Sequence, residues 1–417
     1  MRFGAMRRQA LAEAMRGERA ADVALRAFFR AHPGLGRRDR TRIAESVFDV
    51  LRQRRLYERL VASEEPASEE PAFPVPEPAV LREAHLQALL EASDSLRAGR
   101  IAIPDGLPFA VRHSLPDWLA RALLEQFGEA EARALAAALL EPAPLDLRAN
   151  VLKADRAAVR AELDEAGIET RELPHSPWAL RASGKPSLER TKGYVEGRFE
   201  VQDVGSQLLA MLVAPRRGQT VVDLCAGAGG KTLALAAAMR STGHLYACDV
   251  SARRLQRMRQ RLARSGADNV HPIVLSDERD ARLARLHARA DAVLVDAPCT
   301  GTGTLRRAPD LKWRLHDFEL DGFVARQRAL LDAAAALVRP GGHLVYSTCS
   351  LLAAENDEQR DAFEARHPDF ARCDPRPVLA GQGACLHEEA TADGTLRLLP
   401  HRDDCDGFFA VRWKRGT

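Results

Sequence analysis

No apolar run in this 417-residue sequence approaches the 18 residues a membrane-crossing helix needs, so no membrane span is expected. The opening stretch MRFGAMRRQALAEAMRGERA carries basic residues but no continuous apolar segment behind them, so a secretory leader is not expected either. Cysteine is sparse: seven, odd in number and scattered, which does not make a disulfide framework. No pair has C-x-x-C spacing and no histidine clusters with them, so a zinc site is not expected. These features fit a reducing cytoplasm. No internal repeat is visible. With 46% hydrophobic and 29% charged residues, the chain is too apolar to be mostly disordered. Its length suggests two or three domains with cores large enough to need no staples.

Lysine is scarce as well, supplying six of the 61 basic residues. Charge is unevenly spread. Residues 1–61 hold 15 Arg against seven acidic residues, net +8, and residues 62–80 hold five Glu and no base. The first segment could face phosphates. The alternative is a solvated helical face, since charge clusters are common.

The first 61 residues read as helices, with Leu25, Phe28 and Phe29, then Ile43, Val47, Val50 and Leu51, at helical spacing. The stretch SEEPASEEPAFPVPEP, residues 63–78, is rich in Glu, Ser and Pro and reads as an extended loop. Helical pattern resumes over 80–96 and 116–140, the latter with Leu119, Leu123, Leu124 and Phe127 on one face. From Leu145 the pattern changes: LDLRANVLK alternates, 157–167 reads as a short helix and 169–173 as a strand. After Phe199, short continuous apolar strands (TVVDLC, HLYACDV, VHPIVLSD, DAVLVDAPC, GGHLVYSTCS) alternate with helices. That order predicts a parallel sheet covered on both faces. The expected division is 1–140 helical, 141–195 a small α/β unit and 196–417 the parallel-sheet domain.

Strand 220–225 runs into Ala226-Gly227-Ala228-Gly229-Gly230-Lys231-Thr232 and then a helix. Glycines let the backbone turn and approach a ligand, and the free N–H groups of a helix start favour an anion. A Walker A loop would need Gly where Cys225 stands. A dinucleotide fingerprint would need Gly where Thr232 stands. An S-adenosylmethionine loop needs a Gly-rich turn and an acid ending the next strand; Asp249 is there, placed to accept both ribose hydroxyls. A tight turn in an unrelated α/β protein stays open. Asp223, Asp277 and Asp296 also lie at strand ends, where α/β sheets bind ligands, although any one could be a helix cap. Two cysteines, Cys299 and Cys349, end adjacent strands on that side. A buried Cys is usually an inert small hydrophobe.

DLCAGAGGKT, DAPCTGTGTLRRAPDLKW and YSTCS, with VQDVGSQL at 201–208 and LLPHRDDCDGFF at 398–409, resemble the Sun/Nop family of RNA cytosine-5 methyltransferases. PLDLRANVLK resembles that family's RNA-facing domain, and GRRDRTRIAESVFDVLRQRR the NusB-like domain of its bacterial ribosomal-RNA branch. The resemblance implies an α/β fold: a Rossmann-like class I methyltransferase domain, a small α/β RNA-binding unit and an N-terminal all-α region. It implies S-adenosylmethionine as cofactor, held by Cys225, Ala226, Gly227, Ala228, Gly229, Gly230, Lys231, Asp249, Asp277 and Asp296. Its partner would be RNA, most naturally 16S ribosomal RNA. Cys349 is then the nucleophile and Cys299 helps remove the C5 proton and release product.

In that chemistry Asp296 is the natural partner of the cytosine N3, and donation by it would require burial to keep its proton on. Cys349 would need acidifying by Lys231 or by an arginine near Arg306-Arg307. Lys312, Trp313 and Arg314 could contact phosphate and base, with core packing as the alternative for Trp313. The arginines of 251–264 are expected to face solvent. The rival functions are the same reaction on transfer RNA and a non-catalytic RNA-binding assembly factor.

Overall fold

A computed structural model describes residues 2–62 and 83–417. The Glu/Pro-rich stretch 63–78 lies outside the described residues. The chain forms two compact units, Met1–Pro142 with Thr304–Asp317, and Ala143–Gly303 with Phe318–Thr417.

The first unit is helical. Helices Arg2–Met15, Ala21–Ala31, Arg37–Arg52, Arg54–Val61 and Glu83–Arg97 bury one core from the apolar stripes that the sequence spaces at three and four residues. Leu25, Phe28, Ile43, Val47, Val50 and Leu51 are all inside it, and Phe29 packs against it. Helix Asp117–Leu139 is not continuous: Gly128 takes φ 71° and ψ 167°, which breaks the expected single helix in two.

One stretch departs from the sequence reading. Thr304–Asp317, which follows the Pro-Cys segment in the chain, folds with the helices. Lys312 is 2% exposed, and its side-chain nitrogen donates to the Arg52 carbonyl at 2.7 Å. Trp313 packs on the helical core and donates Nε1–H to the Leu51 carbonyl. Arg314 pairs with Asp310, and Asp310 also accepts from the Ala21 N–H. The basic–aromatic run is therefore a structural plug, and core packing is the reading that fits Trp313. Hydrophobicity alone hides this, because the run's polar atoms are satisfied by carbonyls at helix ends.

The second unit carries two sheets. The smaller is antiparallel, in the order β2-β3-β1-β4, from β1 (Leu145–Ala149), β2 (Thr170–Glu172), β3 (Ala179–Ala182) and β4 (Phe199–Val201). Helix Arg156–Glu165 covers it through Val159 and Leu163. A buried pair, Arg181 with Asp146 at 2.6 Å, ties β3 to β1, and the Val204 N–H donates to the same carboxylate.

The larger sheet runs β10-β12-β9-β8-β5-β6-β7 with β11 also on β12. Its strands are β5 (Thr220–Asp223), β6 (His244–Asp249), β7 (Val270–Val274), β8 (Ala290–Asp296), β9 (Val338–Thr348), β10 (Phe370–Cys373), β11 (Thr395–Leu398) and β12 (Phe408–Arg415). The five strands from β7 to β9 are parallel, and β12 is antiparallel to β9. The central parallel strands β5, β8 and β9 are buried on both faces, which is why they read as apolar runs, while the edge strand β7 is partly exposed. The chain leaves β5 for β6 on one side and returns to β8 on the other. That reversal opens a crevice at the strand carboxyl ends.

Gly303 fixes one wall of the crevice. Its N–H donates to the Cys349 carbonyl, and its own carbonyl accepts from the Gly407 N–H. A Cβ on residue 303 would lie 2.2 Å from the Gly407 oxygen, a backbone atom that cannot swing away. Gly303→Ala should therefore lower unfolding free energy by about 2–3 kcal/mol, read as a fall in the urea midpoint at unchanged slope.

Candidate active site

β8 and β9 pair in parallel with Asp296 opposite Ser347. Each strand then runs on into a cysteine, so Cys299 and Cys349 meet at the sheet's carboxyl edge with their sulfurs 3.3 Å apart. Both are partly exposed. The Ala297 N–H to Ser347 carbonyl bond, at 2.8 Å, continues the ladder past the strand end and holds the two segments together.

Asp296 does not stand alone at the strand end. Its carboxyl accepts from the Lys231 ammonium at 2.8 Å and from the Ser347 hydroxyl at 3.1 Å. Burial pushes the Lys231 amine down, but Asp296 more than offsets this, so its pKa lies above the usual lysine range. The Cys349 sulfur is close enough for its charge to act on Lys231 in the same direction. Lys231, one of the cations expected beside Cys349, is placed there. Arg306 folds with the helices, its carbonyl held by Arg52.

The glycine loop joins β5 to helix Gly230–Ala238. Gly229 takes φ 85°, and a Cβ there would meet Met258 at 2.4 Å, so glycine is required on both counts. Asp249, at the end of β6, accepts from the Gly227 N–H at 2.8 Å and the Ser251 N–H at 2.7 Å, so it shapes the loop as well as facing it. Cys225 is packed against the β-sheet core, and burial raises its thiol well above the ordinary range. Asp277 is exposed, and its carboxylate accepts from the Arg279 N–H, two residues on. Its neighbour Asp280 is the buried acid of that turn, capping residues 281–286.

The family description "16S rRNA methyltransferase RsmB/F" matches residues 210–414, and "Methyltr_RsmF/B-like, ferredoxin-like domain" matches residues 115–188. A probable ribosomal RNA small subunit methyltransferase B from Synechocystis is 36% identical over 73% of this chain and 67% of its own length. This chain belongs to the RsmB/F methyltransferase family. The solved structure of PH0851 superposes with a TM-score of 0.76, at 26% identity over 98% of both chains. A methyltransferase homologue from Pyrococcus horikoshii gives 0.62, at 27% identity over 73% of this chain and 97% of its own. The matched stretch thus spans about two thirds of the Synechocystis relative.

The cofactor is S-adenosylmethionine, and the loop fits it. Gly227 has φ 55° and open space where a Cβ would project, so a side chain there would fill the cradle. The Asp249 carboxylate lies against that cradle through Gly227, and Asp296 and Lys231 close it on the β8 side. Asp223 sits beneath, 1% exposed, with one oxygen taken by the Thr232 hydroxyl and the other without a partner.

Two features escaped sequence reasoning. Arg261 and Arg264 are only partly exposed: both bind the buried Glu200, and Arg261 also donates to the Ala228 carbonyl of the glycine loop. Glu355 and Asn356 pack under the two cysteines. The only sequence signal is an acid–amide pair six residues after Cys349, in a segment with no period.

Burial raises the Asp223 carboxyl to about 7, with Asp296 and Asp249 adding to it against Thr232 and Lys231. The folded state therefore holds a proton that the unfolded chain has released above about pH 4. Stability contributed by that proton is full below pH 4 and declines as pH rises toward 7. Asp223→Asn should remove this decline. Its melting temperature should exceed wild type by roughly 10 °C at pH 8, from about 4 kcal/mol at about 2–4 °C per kcal/mol, with the gap closing by pH 4 in a calorimetric series.

Proposed function

We propose that this protein transfers a methyl group from S-adenosylmethionine to C5 of a cytosine in 16S ribosomal RNA, through a covalent bond between Cys349 and C6. The observation that carries this reading is the 3.3 Å contact between two cysteine sulfurs beside the Lys231–Asp296 pair. The names of the family and of its relatives support the ribosomal substrate.

Cytosine C5 is a poor nucleophile. A thiolate adding to C6 pushes electron density to C5, provided N3 gains a proton. Asp296 accepts from the base and orients it, and the Lys231 ammonium on that carboxylate is the proton source for N3. The cofactor, when bound, supplies the electrophilic methyl. Once Cys349 is bonded to C6 it no longer carries charge, and Cys299 can release its own proton to solvent. Cys299 then takes the proton from C5, the bond between Cys349 and C6 breaks, and N3 returns its proton to the pair. One proton is released overall, as methyl transfer from a sulfonium to a C–H position requires.

The base must be unstacked before it can enter such a crevice.

Cys349→Ala should abolish methyl transfer, by about 1,000-fold or more. Cys299→Ala should attack without release, so a protein–RNA adduct should accumulate on a denaturing gel. Swapped phenotypes would reverse the assignment of the two sulfurs. Mass spectrometry of 16S ribosomal RNA from cells lacking the protein should show one 5-methylcytosine fewer; an unchanged spectrum rejects the ribosomal target.

A further inference from the structure

The reaction above needs two chemically identical thiols, 3.3 Å apart, to play different parts. Their immediate surroundings are not symmetric. Glu355 is completely buried, in the turn Ala353–Glu355. One of its oxygens accepts from the Thr300 N–H at 2.9 Å and from Gln327 Nε2 at 2.9 Å. The other accepts from the Thr300 hydroxyl at 2.5 Å and from the Ser350 hydroxyl. Four donors on two oxygens is the pattern of an ionised carboxylate. No cation faces it among the described residues.

The partners matter because of where they stand. Thr300 follows Cys299 in the chain and Ser350 follows Cys349. Glu355 therefore clamps both cysteine segments at once. Asn356 adds a second clamp, accepting from the Thr348 hydroxyl at 2.6 Å and donating to the Ser350 carbonyl at 2.9 Å. The clamp is lopsided: Glu355 takes two bonds from residue 300, one of them from the backbone, and a single hydroxyl from residue 350.

We propose that Glu355 is the positioning residue that distinguishes the two thiols, its buried negative charge keeping the pair's proton on Cys299 and so leaving Cys349 as the nucleophile. This rests on the reaction proposed above. Electrostatics run the same way: the hydrogen bond to Cys349, burial, the Cys349 charge and then the Glu355 charge all raise the Cys299 thiol. The other titratable groups facing the two sulfurs are Tyr346, whose hydroxyl donates to the Glu355 carbonyl, and Lys231 with its partner Asp296. Lys231 acts on the Cys349 side, so the two charges push the proton in one direction. Gln327, from helix Leu320–Leu337, brings a donor and no charge.

The test is the pH dependence of iodoacetamide labelling at each sulfur, read by mass spectrometry on the full-length protein without RNA. In the wild type, Cys349 should label about tenfold or more faster than Cys299 between pH 7 and 8. Glu355→Gln keeps the shape and removes the charge, so the ratio should collapse by about tenfold, one pKa unit. The Cys299 labelling profile should move to lower pH. In turnover, kcat should fall while KM stays within about twofold, since a positioning effect on the nucleophile is felt in the chemical step. Glu355→Asp, which retains the charge, should keep most of the selectivity.

Wild-type protein that labels first at Cys299 would overturn the proposal, as would folded Glu355→Gln with the wild-type ratio and profile. If the Gln variant fails to fold, loss of selectivity in a folded Asp variant overturns it instead. Labelling needs neither substrate nor cofactor. Protein that labels as expected yet makes no 5-methylcytosine would therefore reject the reaction and leave the inequality of the two sulfurs standing.

Discussion

The parallel pairing of β8 with β9 is the constraint from which the site follows. With Asp296 opposite Ser347, the two strands end in register, and the chain beyond each has few residues in which to place its cysteine. Slipping the register by one residue would turn the alternate side chains over and carry Asp296 away from Lys231. The Ala297 and Gly303 N–H bonds to the opposite strand extend the pairing past its formal end. The 3.3 Å sulfur contact is thus a product of sheet geometry, held by the backbone and by Glu355 beneath.

Much of this was legible in the sequence because its physical causes are local. Continuous apolar strands separated by helices announce a doubly covered parallel sheet, and the glycines at 227 and 229 mark a backbone at positive φ. The short helix and strand expected after Leu145 fall at Arg156–Glu165 and Thr170–Glu172. The two cysteines ending adjacent apolar runs are legible for the same reason: a strand's end can be read from where its apolar run stops.

What was not legible depends on partners distant in sequence. Lys312 and Trp313 look like an RNA-contacting pair until Arg52 and Leu51, some 260 positions earlier, supply the carbonyls that bury them. Arg261 and Arg264 look solvated until Glu200 is placed below their helix. Glu355 has neither an apolar period nor a repeated spacing. Its importance lies in four donors from three separate segments, a property that no window of sequence contains. Gly128 is a smaller instance: the apolar stripe on each side is helical, and only the backbone shows the break.

Three carboxyls end neighbouring strands, and each is accommodated in its own way. Asp249 accepts two backbone N–H groups, Asp296 takes the Lys231 ammonium, and Asp223, with one hydroxyl donor and no cation of its own, is raised toward neutrality. Leaving three bare carboxylates together in a low-dielectric crevice would cost several kcal/mol per uncompensated charge. The solutions differ because their tasks differ. A carboxylate held by two backbone donors keeps a fixed position, which suits the contact with ribose hydroxyls expected of Asp249. The carboxylate paired with an ammonium is the one that the proposed reaction sets against the ring nitrogen. With one lysine against these acids, the crevice carries an excess of negative charge over positive. That sign favours a cationic sulfonium over its neutral thioether product, so the same electrostatics that admit the methyl donor also favour departure of what remains after transfer.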